Sequence, residues 1–482
     1  MGAGKSVIFV LLIALLMIYN MISISPFNSL LFDVGFFFMV VGFFIFIKYS
    51  KKNNLLDCWL RPSYLFLIGY FAVNLQYLLD YRLGLKDDGS TLITQPQTLN
   101  YCLVLGVAGF LAFVLGYIWK RTSVVHRSVV NASLYNLEIP PFFILFHFAM
   151  FCLFLLTINV SEFLMGSAFI DEENQSPFEG LFFLATMLLV LFTSKKGVSG
   201  DSLMSYLRLF PKISLFLIGF YMMLRMFSGD RGPMIYTGLL MMYGYIAATK
   251  KRWKLSLVLP LLIVASLFVS LIGMARVGDL HESFFDRIVN SYTSYTTAGR
   301  FGESGEKSVF SATEELGFSF MVNQTDVKAI EQDGLSFHYG MYQIYSLLVA
   351  IPYMPSFLAE TLKISKEDLS SVGFANTHFF QNETSTWSLG TTMVGDFYLE
   401  LGIIGVIIGL FFCGKLFRFI DQTIFISSPS SINIYLLFIA LHFASQAIYM
   451  PRSVMLLNLQ KVLLGFILIY FYQKIIVRSQ KS

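Results

Sequence analysis

Seven arginines in this chain stand where a charge is least expected. Arg82, Arg225, Arg231, Arg276, Arg287, Arg300 and Arg452 lie between or at the ends of long apolar runs, away from the clusters that hold most of the 34 basic residues. A guanidinium presents parallel N–H donors that match two phosphate oxygens, so arginines gathered at one level suit an anionic, phosphate-bearing ligand. Acids occupy comparable places. Asp396 and Glu400 are four residues apart in an apolar run, hence on one helix face, and can act as counter-ions to arginine or as a general base. His281, His338 and His378 lie in a long polar stretch with Trp387. An imidazole there can take a proton from a sugar hydroxyl, and an indole can stack on a sugar ring.

Local sequence sharpens several of these. Between Ser228 and Pro233, Gly229 and Gly232 let the backbone turn close to a ligand. Pro233 suits the first turn of a following helix, whose N-terminal amides beside Arg231 would hold an anion. The plain alternative is a turn in which Asp230 pairs with Arg231. Arg225 falls about a turn inside the preceding run, and arginine in hydrocarbon costs about 2.5–3.5 kcal/mol, so it is paired or functional there. Arg276 closes one run and Arg452 links the last two, both at the level of lipid headgroups, where simple snorkelling is the alternative. Arg287 and Arg300 stand beside Asp286 and Glu303, as solvated residues would. The candidate catalytic residues are Arg231, Arg276, Arg452, Asp396, His338 and His378. The candidate substrate contacts are Arg225, Asp230, Arg300, Glu400 and Trp387.

The elements that must position these residues are membrane helices. The chain is 56% apolar and 13% charged, with a mean hydropathy of +0.67. Its apolar runs have the length that a hydrocarbon core of about 30 Å demands of a helix. The 51 Phe and 25 Tyr suit lipid-facing surfaces and interfacial belts. Runs near 7–24, 29–47, 63–79, 100–119, 141–159, 179–193, 213–228, 233–248, 255–274, 389–412, 431–449 and 455–473 predict twelve spans. The first run lacks the small-residue cleavage site of a signal peptide. The net charge of +4 follows topology and implies no nucleic acid.

Charge orients the bundle. Lys48, Lys51, Lys52 and Arg61, then Lys120, Arg121 and Arg127, then Lys195, Lys196, Arg208 and Lys212 fall in alternate loops. Lys250, Lys251, Arg252 and Lys254, then Lys415 and Arg418, continue the series, with Lys5 and the basic tail at the ends. Only Asp57, Glu138, Asp201 and Asp421 oppose them, so both termini and this loop set read as cytoplasmic. The stretch 341–358, interrupted by Pro352 and Pro355, reads as an interfacial or re-entrant helix rather than a thirteenth span. The expected organisation is 1–274 with nine spans, 275–388 as a large helical extracytoplasmic loop packed on the membrane domain, and 389–482 with three more. Asp279 with Glu282, and Ser311 with Glu314, have capping-box spacing within that loop, and the second helix should end near Asp333–Gly334. His147, His442 and Lys461 lie inside runs as candidate buried polar contacts, and Asn131, Asn323 and Asn382 begin N-x-S/T triplets. No HExxH, acid-pair or Walker motif appears, and the four cysteines have no CxxC spacing, so no metal, cofactor or disulfide framework is expected.

The turn Gly229–Gly232 and the pattern Gly395, Asp396, Tyr398, Gly402, Gly405 carry a family resemblance. With the many spans and the late large loop, the chain resembles the Wzy-type O-antigen and capsule oligosaccharide repeat-unit polymerases of bacteria, glycosyltransferases with a GT-C-like fold. The family's pattern begins with glutamate where this chain has Asp396, a shorter carboxylate. The resemblance implies an enzyme of the bacterial cytoplasmic membrane with an extracytoplasmic active site. Its substrates would be oligosaccharides on undecaprenyl diphosphate, its surroundings membrane lipids, and its protein partner a chain-length regulator. Arginines would stabilise the departing diphosphate, with Arg231, Arg276 and Arg452 foremost and Arg225 in support. An O-antigen ligase-type transferase and a lipid-linked glycan transporter or flippase are the alternatives.

Overall fold

The structure, a computed structural model, describes residues 3–52, 59–87, 94–119, 139–160, 163, 176–196, 202–228, 230–251, 253, 256, 258, 260, 286, 289–290, 314–348, 351, 354–363, 371, 390–427, 432–456 and 459–479. Among these residues all regular structure is helical. The first helices are α1 (Ala3–Met21), α2 (Ser29–Lys52), α3 (Pro62–Asn74), α4 (Gln76–Arg82) and α5 (Leu99–Ile118). They are followed by α6 (Pro141–Thr157), α7 (Pro177–Lys196), α8 (Leu203–Leu207), α9 (Lys212–Phe227) and α10 (Arg231–Thr249). The later part holds α11 (Glu314–Gly317), α12 (Phe320–Glu331), α13 (Met341–Leu348), α14 (Met354–Leu362), α15 (Met393–Phe425), α16 (Ile434–Ser445) and α17 (Leu459–Ser479).

Among the described residues, five segments are long and apolar enough to cross a membrane: Ala3–Met21, Ser29–Lys51, Pro96–Ile118, Pro177–Lys196 and Met393–Phe425. Pro141–Thr157 and Ile434–Ser445 are apolar but shorter. Helices stand at the expected runs, except that 255–274 lies almost wholly outside the described residues. The third run is divided at Leu75, whose φ of −132° takes it out of helical geometry. The stretch 341–358 forms parts of two helices of 8 and 9 residues, too short to span. The capping pair Asp279 and Glu282 lies outside the described residues. The second loop helix is broken into α11 and α12, and α12 stops at Glu331.

The chain forms two compact units, each assembled from early and late segments. The first comprises Met1–Thr122, Glu303–Arg418 and Ala447–Asn458; the second comprises Ser123–Gly302, Phe419–Gln446 and Leu459–Ser482.

In the first unit, α5 is the central helix. Its spanning window is 100% buried, against 17% for α1 and 28% for α2, which pack on it by one face and turn Phe9, Val10, Met17, Phe37 and Phe44 outward. Apolar side chains exposed along whole helix faces fit hydrocarbon rather than water. The loop helix α12 packs on α3 and α5, so this described part of 275–388 is joined to the apolar helices. Phe66, Phe113 and Phe417 form an aromatic cluster where α3, α5 and α15 meet. There α5 and α15 cross at backbone contact. A Cβ on Gly116 would strike the Phe411 carbonyl oxygen, and one on Gly414 the Phe113 carbonyl oxygen. Small residues facing each other are how membrane helices reach such proximity.

In the second unit, α7 packs against α6, α10, α16 and α17. Phe151, Phe154, Phe163, Phe182 and Tyr221 fill one core cluster. His147 Nε2 lies 3.1 Å from Thr186 Oγ1, the polar contact between apolar helices expected of that histidine. Lys250 ends α10 in the left-handed conformation, and its ammonium donates to the Ile424 carbonyl at 2.7 Å, where α15 runs out of intrahelical partners.

Candidate functional site

In the first unit the polar residues gather around an interruption of α15. Leu401 (φ −145°, ψ 25°) and Gly402 (φ 62°, ψ −149°) leave helical geometry, the second in a region almost reserved for glycine. The break frees two carbonyls, and the loop takes them: His338 N–H donates to Leu399 O at 2.9 Å and Tyr339 N–H to Glu400 O at 3.0 Å. The Glu400 carboxylate in turn accepts the Gln343 N–H at 2.9 Å and the Gly340 N–H, placing negative charge at the N-terminus of α13. One turn earlier, Asp396 accepts from Gln343 Nε2 at 2.6 Å and from Ser371 Oγ at 2.6 Å. The His338 ring stacks on Tyr342 with centroids 4.2 Å apart and shares a 2.9 Å hydrogen bond with its hydroxyl. Thus His338 and the pair Asp396 and Glu400, which sequence singled out apart from it, meet at one loop–helix junction.

The partners of these acids correct one expectation. Asp396 and Glu400 were candidate counter-ions to arginine, but neutral donors hold both: a glutamine amide, a serine hydroxyl and backbone N–H groups. The reason is geometric. The helix break and the α13 N-terminus supply donors at the carboxylates themselves, so no guanidinium is needed to satisfy them. Replacing Gly402 with Ala is expected to cost about 1–3 kcal/mol, since the added Cβ forces a disfavoured φ and meets the Phe337 ring at 3.1 Å. Thermal unfolding of the variant measures it, and an unchanged midpoint would refute the strain.

Beside this junction lies a carboxyl that sequence reading passed over. Asp326 on α12 is fully buried, and neither of its oxygens accepts a hydrogen bond. Burial, and after it the carboxylate of Asp396, pushes its pKa well above the ordinary carboxylate range. A hydroxyl and an amide lie beside it: Thr392 Oγ1 accepts the Gly395 N–H at 2.8 Å and donates to Asn323 Oδ1, whose amide donates to Asn74 Oδ1 at 2.9 Å. The N-x-S/T triplet at Asn323 is therefore buried in this network. The i,i+3 spacing of Asn323 and Asp326 was the available sequence signal.

In the second unit Arg225 has protein partners. Arg225 Nε donates to Glu179 Oε1 at 2.7 Å, and its Nη2 pairs with Glu179 Oε2. The remaining Nη1 reaches Asp230 Oδ2 at 3.4 Å, and Tyr221 donates its hydroxyl to Glu179. The guanidinium carbon also sits 5.0 Å from the Phe163 ring centre. Asp230 therefore pairs with Arg225 while its Oδ1 caps α10 by accepting the Gly232 N–H at 3.3 Å. Glu179, in the first turn of α7, fills the bidentate seat that sequence reading left open for a ligand phosphate.

Arg231 is buried as the first residue of α10. Arg452 is half-buried in the 3-10 turn Met450–Arg452 of the first unit. Arg82 forms an exposed pair with Asp33 at 3.0 Å, an ordinary surface contact. Arg276, Arg287, Arg300, His281, His378 and Trp387 lie outside the described residues. Arg61 and Arg418, counted in sequence as loop charges, are buried instead. Arg61 donates to Tyr117 Oη at 3.3 Å and Ser50 Oγ at 3.2 Å, and Arg418 donates to the Trp119 carbonyl at 3.0 Å. Among the described residues no His, Cys, Asp and Glu grouping could hold a metal through three such side chains.

Fold and site together are those of an α-helical polytopic membrane protein with a buried carboxyl cluster at a broken helix. Comparison with protein-family models, with curated proteins and with solved structures gives no match.

Proposed function

We propose that the protein is a membrane glycosyltransferase that polymerises oligosaccharide repeat units carried on undecaprenyl diphosphate. The reading includes twelve spans, a GT-C-like bundle, cytoplasmic termini and chemistry on the extracytoplasmic side of a bacterial cytoplasmic membrane. The observation that carries it is the seating of the His338–Gln343 segment on Asp396 and Glu400 of an apolar helix. This arrangement brings a half-buried imidazole, backed by the Tyr342 hydroxyl, to a junction of loop and apolar helix, where a lipid-borne sugar can reach it. His338 takes the proton of the acceptor hydroxyl, and arginines stabilise the charge that develops on the departing diphosphate. Arg225 is gripped by Glu179, and Arg231, Arg276 and Arg452 are the candidates whose replacement tests this role.

The test is reconstitution of purified protein with defined lipid-linked repeats, the products resolved as a ladder on a gel. Arg231→Ala and Arg452→Ala are each expected to slow ladder formation about a hundredfold, in the range of a lost oxyanion donor. Arg→Lys at either position should impair it too, because the bidentate geometry is lost. Wild-type ladders from His338→Ala and from both arginine variants, at equal protein levels, would sink the reading. A second reading, transport of lipid-linked glycans, is favoured by the break of α15 at Leu401–Gly402, since interrupted helices serve transporters. Movement of a labelled lipid-linked glycan across vesicles without any ladder would select it. Transfer only to a non-repeat acceptor would select a ligase.

A further inference from the structure

The loop between α12 and α13 takes positive φ at three residues: Gly334 (71°), Tyr339 (52°) and Gly340 (92°). Glycine adopts that region without penalty, whereas a Cβ there crowds the backbone, and a bulky aromatic residue is an outlier in it. The conformation of Tyr339 is held by α15. The N–H groups of His338, Tyr339 and Gly340 go in succession to Leu399 O, Glu400 O and the Glu400 carboxylate. The side chain takes little part in the fold. It is 71% exposed, and among the described residues none stacks on its ring or hydrogen-bonds to its hydroxyl. A strained residue whose ring lies largely outside the packing marks a place where the direction of that ring serves a ligand. We propose that Tyr339 is a sugar-binding residue, its exposed ring stacking on a sugar ring of the acceptor glycan beside His338.

The chemistry of the segment selects a sugar. Residues 334–348 include no Asp, Glu, Lys or Arg, so a neutral ligand suits them better than a charged one. A tyrosine offers its ring face to the C–H face of a sugar and its hydroxyl to the sugar oxygens. Contact with membrane lipid is already provided by Met341 and Ile344, exposed apolar side chains on the ordinary helical backbone of α13. Lipid therefore gives no reason for strain at the residue that follows the imidazole. The assignment rests on the polymerase reading for the identity of the glycan as acceptor.

The test uses purified full-length protein and the free repeat-unit oligosaccharide, released from its lipid so that no diphosphate takes part. Binding is titrated by ligand-observed NMR. Tyr339→Gly removes ring and strain together. It should weaken binding roughly tenfold, the size of one stacking contact, while the unfolding midpoint stays at or above that of wild type. Tyr339→Trp keeps a ring face and should bind within about threefold of wild type. Ile344→Ala, at an exposed apolar neighbour on α13, should leave binding intact. Should Tyr339→Gly not fold, Tyr339→Asn takes its place, since asparagine tolerates the left-handed region. Unchanged binding in Tyr339→Gly, an equal loss in Ile344→Ala, or no saturable binding by wild type overturns the assignment. So does a lowered midpoint in Tyr339→Gly, which would make the tyrosine a structural or lipid contact. In the ladder assay Tyr339→Gly should raise KM about tenfold with kcat within about twofold. A wild-type ladder with KM unchanged in the variant overturns the sugar contact and leaves the polymerase standing. Glycan binding that needs Tyr339, without any ladder, does the reverse.

Discussion

Arg225→Ala is expected to destabilise the second unit by about 3–5 kcal/mol, the cost of leaving one member of a buried ion pair without its partner. The guanidinium makes a bidentate contact with Glu179, whose side chain is only 19% exposed, and holds Asp230 as well. Its removal leaves the Glu179 and Asp230 carboxylates without their cation, Glu179 keeping the Tyr221 hydroxyl as a donor, beside the Phe154 and Phe163 rings. Arg225→Lys should recover only part of the loss, because an ammonium cannot meet both Glu179 oxygens in one plane. Replacing both partners, as Arg225→Met with Glu179→Leu, should restore most of it, since a buried pair exchanged for apolar volume is close to neutral. Thermal unfolding and protein level in membranes are the readouts. A single alanine variant within about 0.5 kcal/mol of wild type, the size of an ordinary surface effect, would show that the network carries no stability. The double variant also separates structure from chemistry. If it folds and still makes a ladder, Arg225 is no diphosphate ligand.

Gly116→Leu is expected to be at least as disruptive within the first unit, costing about 3 kcal/mol or more, the upper range of overpacking. The helix crossing leaves no room for even a methyl group: the obstacle is the Phe411 carbonyl, a backbone atom that cannot rotate aside. Accommodating leucine would drive α5 from α15, opening the aromatic cluster of Phe66, Phe113 and Phe417. Gly414→Leu meets the reciprocal carbonyl, Phe113 O, and should behave alike. Gly219→Leu is the control. Nothing lies within 4 Å of its added Cβ, so stability should change by no more than about 0.5 kcal/mol. Equal unfolding midpoints for Gly116→Leu and Gly219→Leu would refute the close crossing.

Much of the helical plan was legible because hydropathy is a local property. A run such as 100–119 is apolar throughout, which predicts a spanning helix, and α5 stands there. The proline-bearing stretch 341–358 read as non-spanning for a similarly local reason. The break at Gly402 was not legible. A glycine in an apolar run is compatible with an unbroken helix, and only the docking of His338 and Tyr339 on the freed carbonyls makes the interruption stable.

At the candidate site the sequence named the right acids and misjudged their company. Asp396 and Glu400 stood out because carboxylates are rare in apolar runs, but Gln343 and Ser371 are 53 and 25 residues from Asp396, a separation that no periodicity encodes. Arg225 read as paired or functional, but Glu179, its partner 46 residues away, was not identified. Asp326 drew no notice, because an aspartate in a polar loop is ordinary until the fold buries it.

The sequence by itself determined that this is a helical membrane chain and where its helices run, because the length and polarity of each segment are written locally and hydrocarbon tolerates little else. Only the tertiary structure decided which charges are satisfied and by what. Those pairings join residues far apart in the chain, and the energy of a buried charge depends on the few atoms around it rather than on its neighbours in sequence.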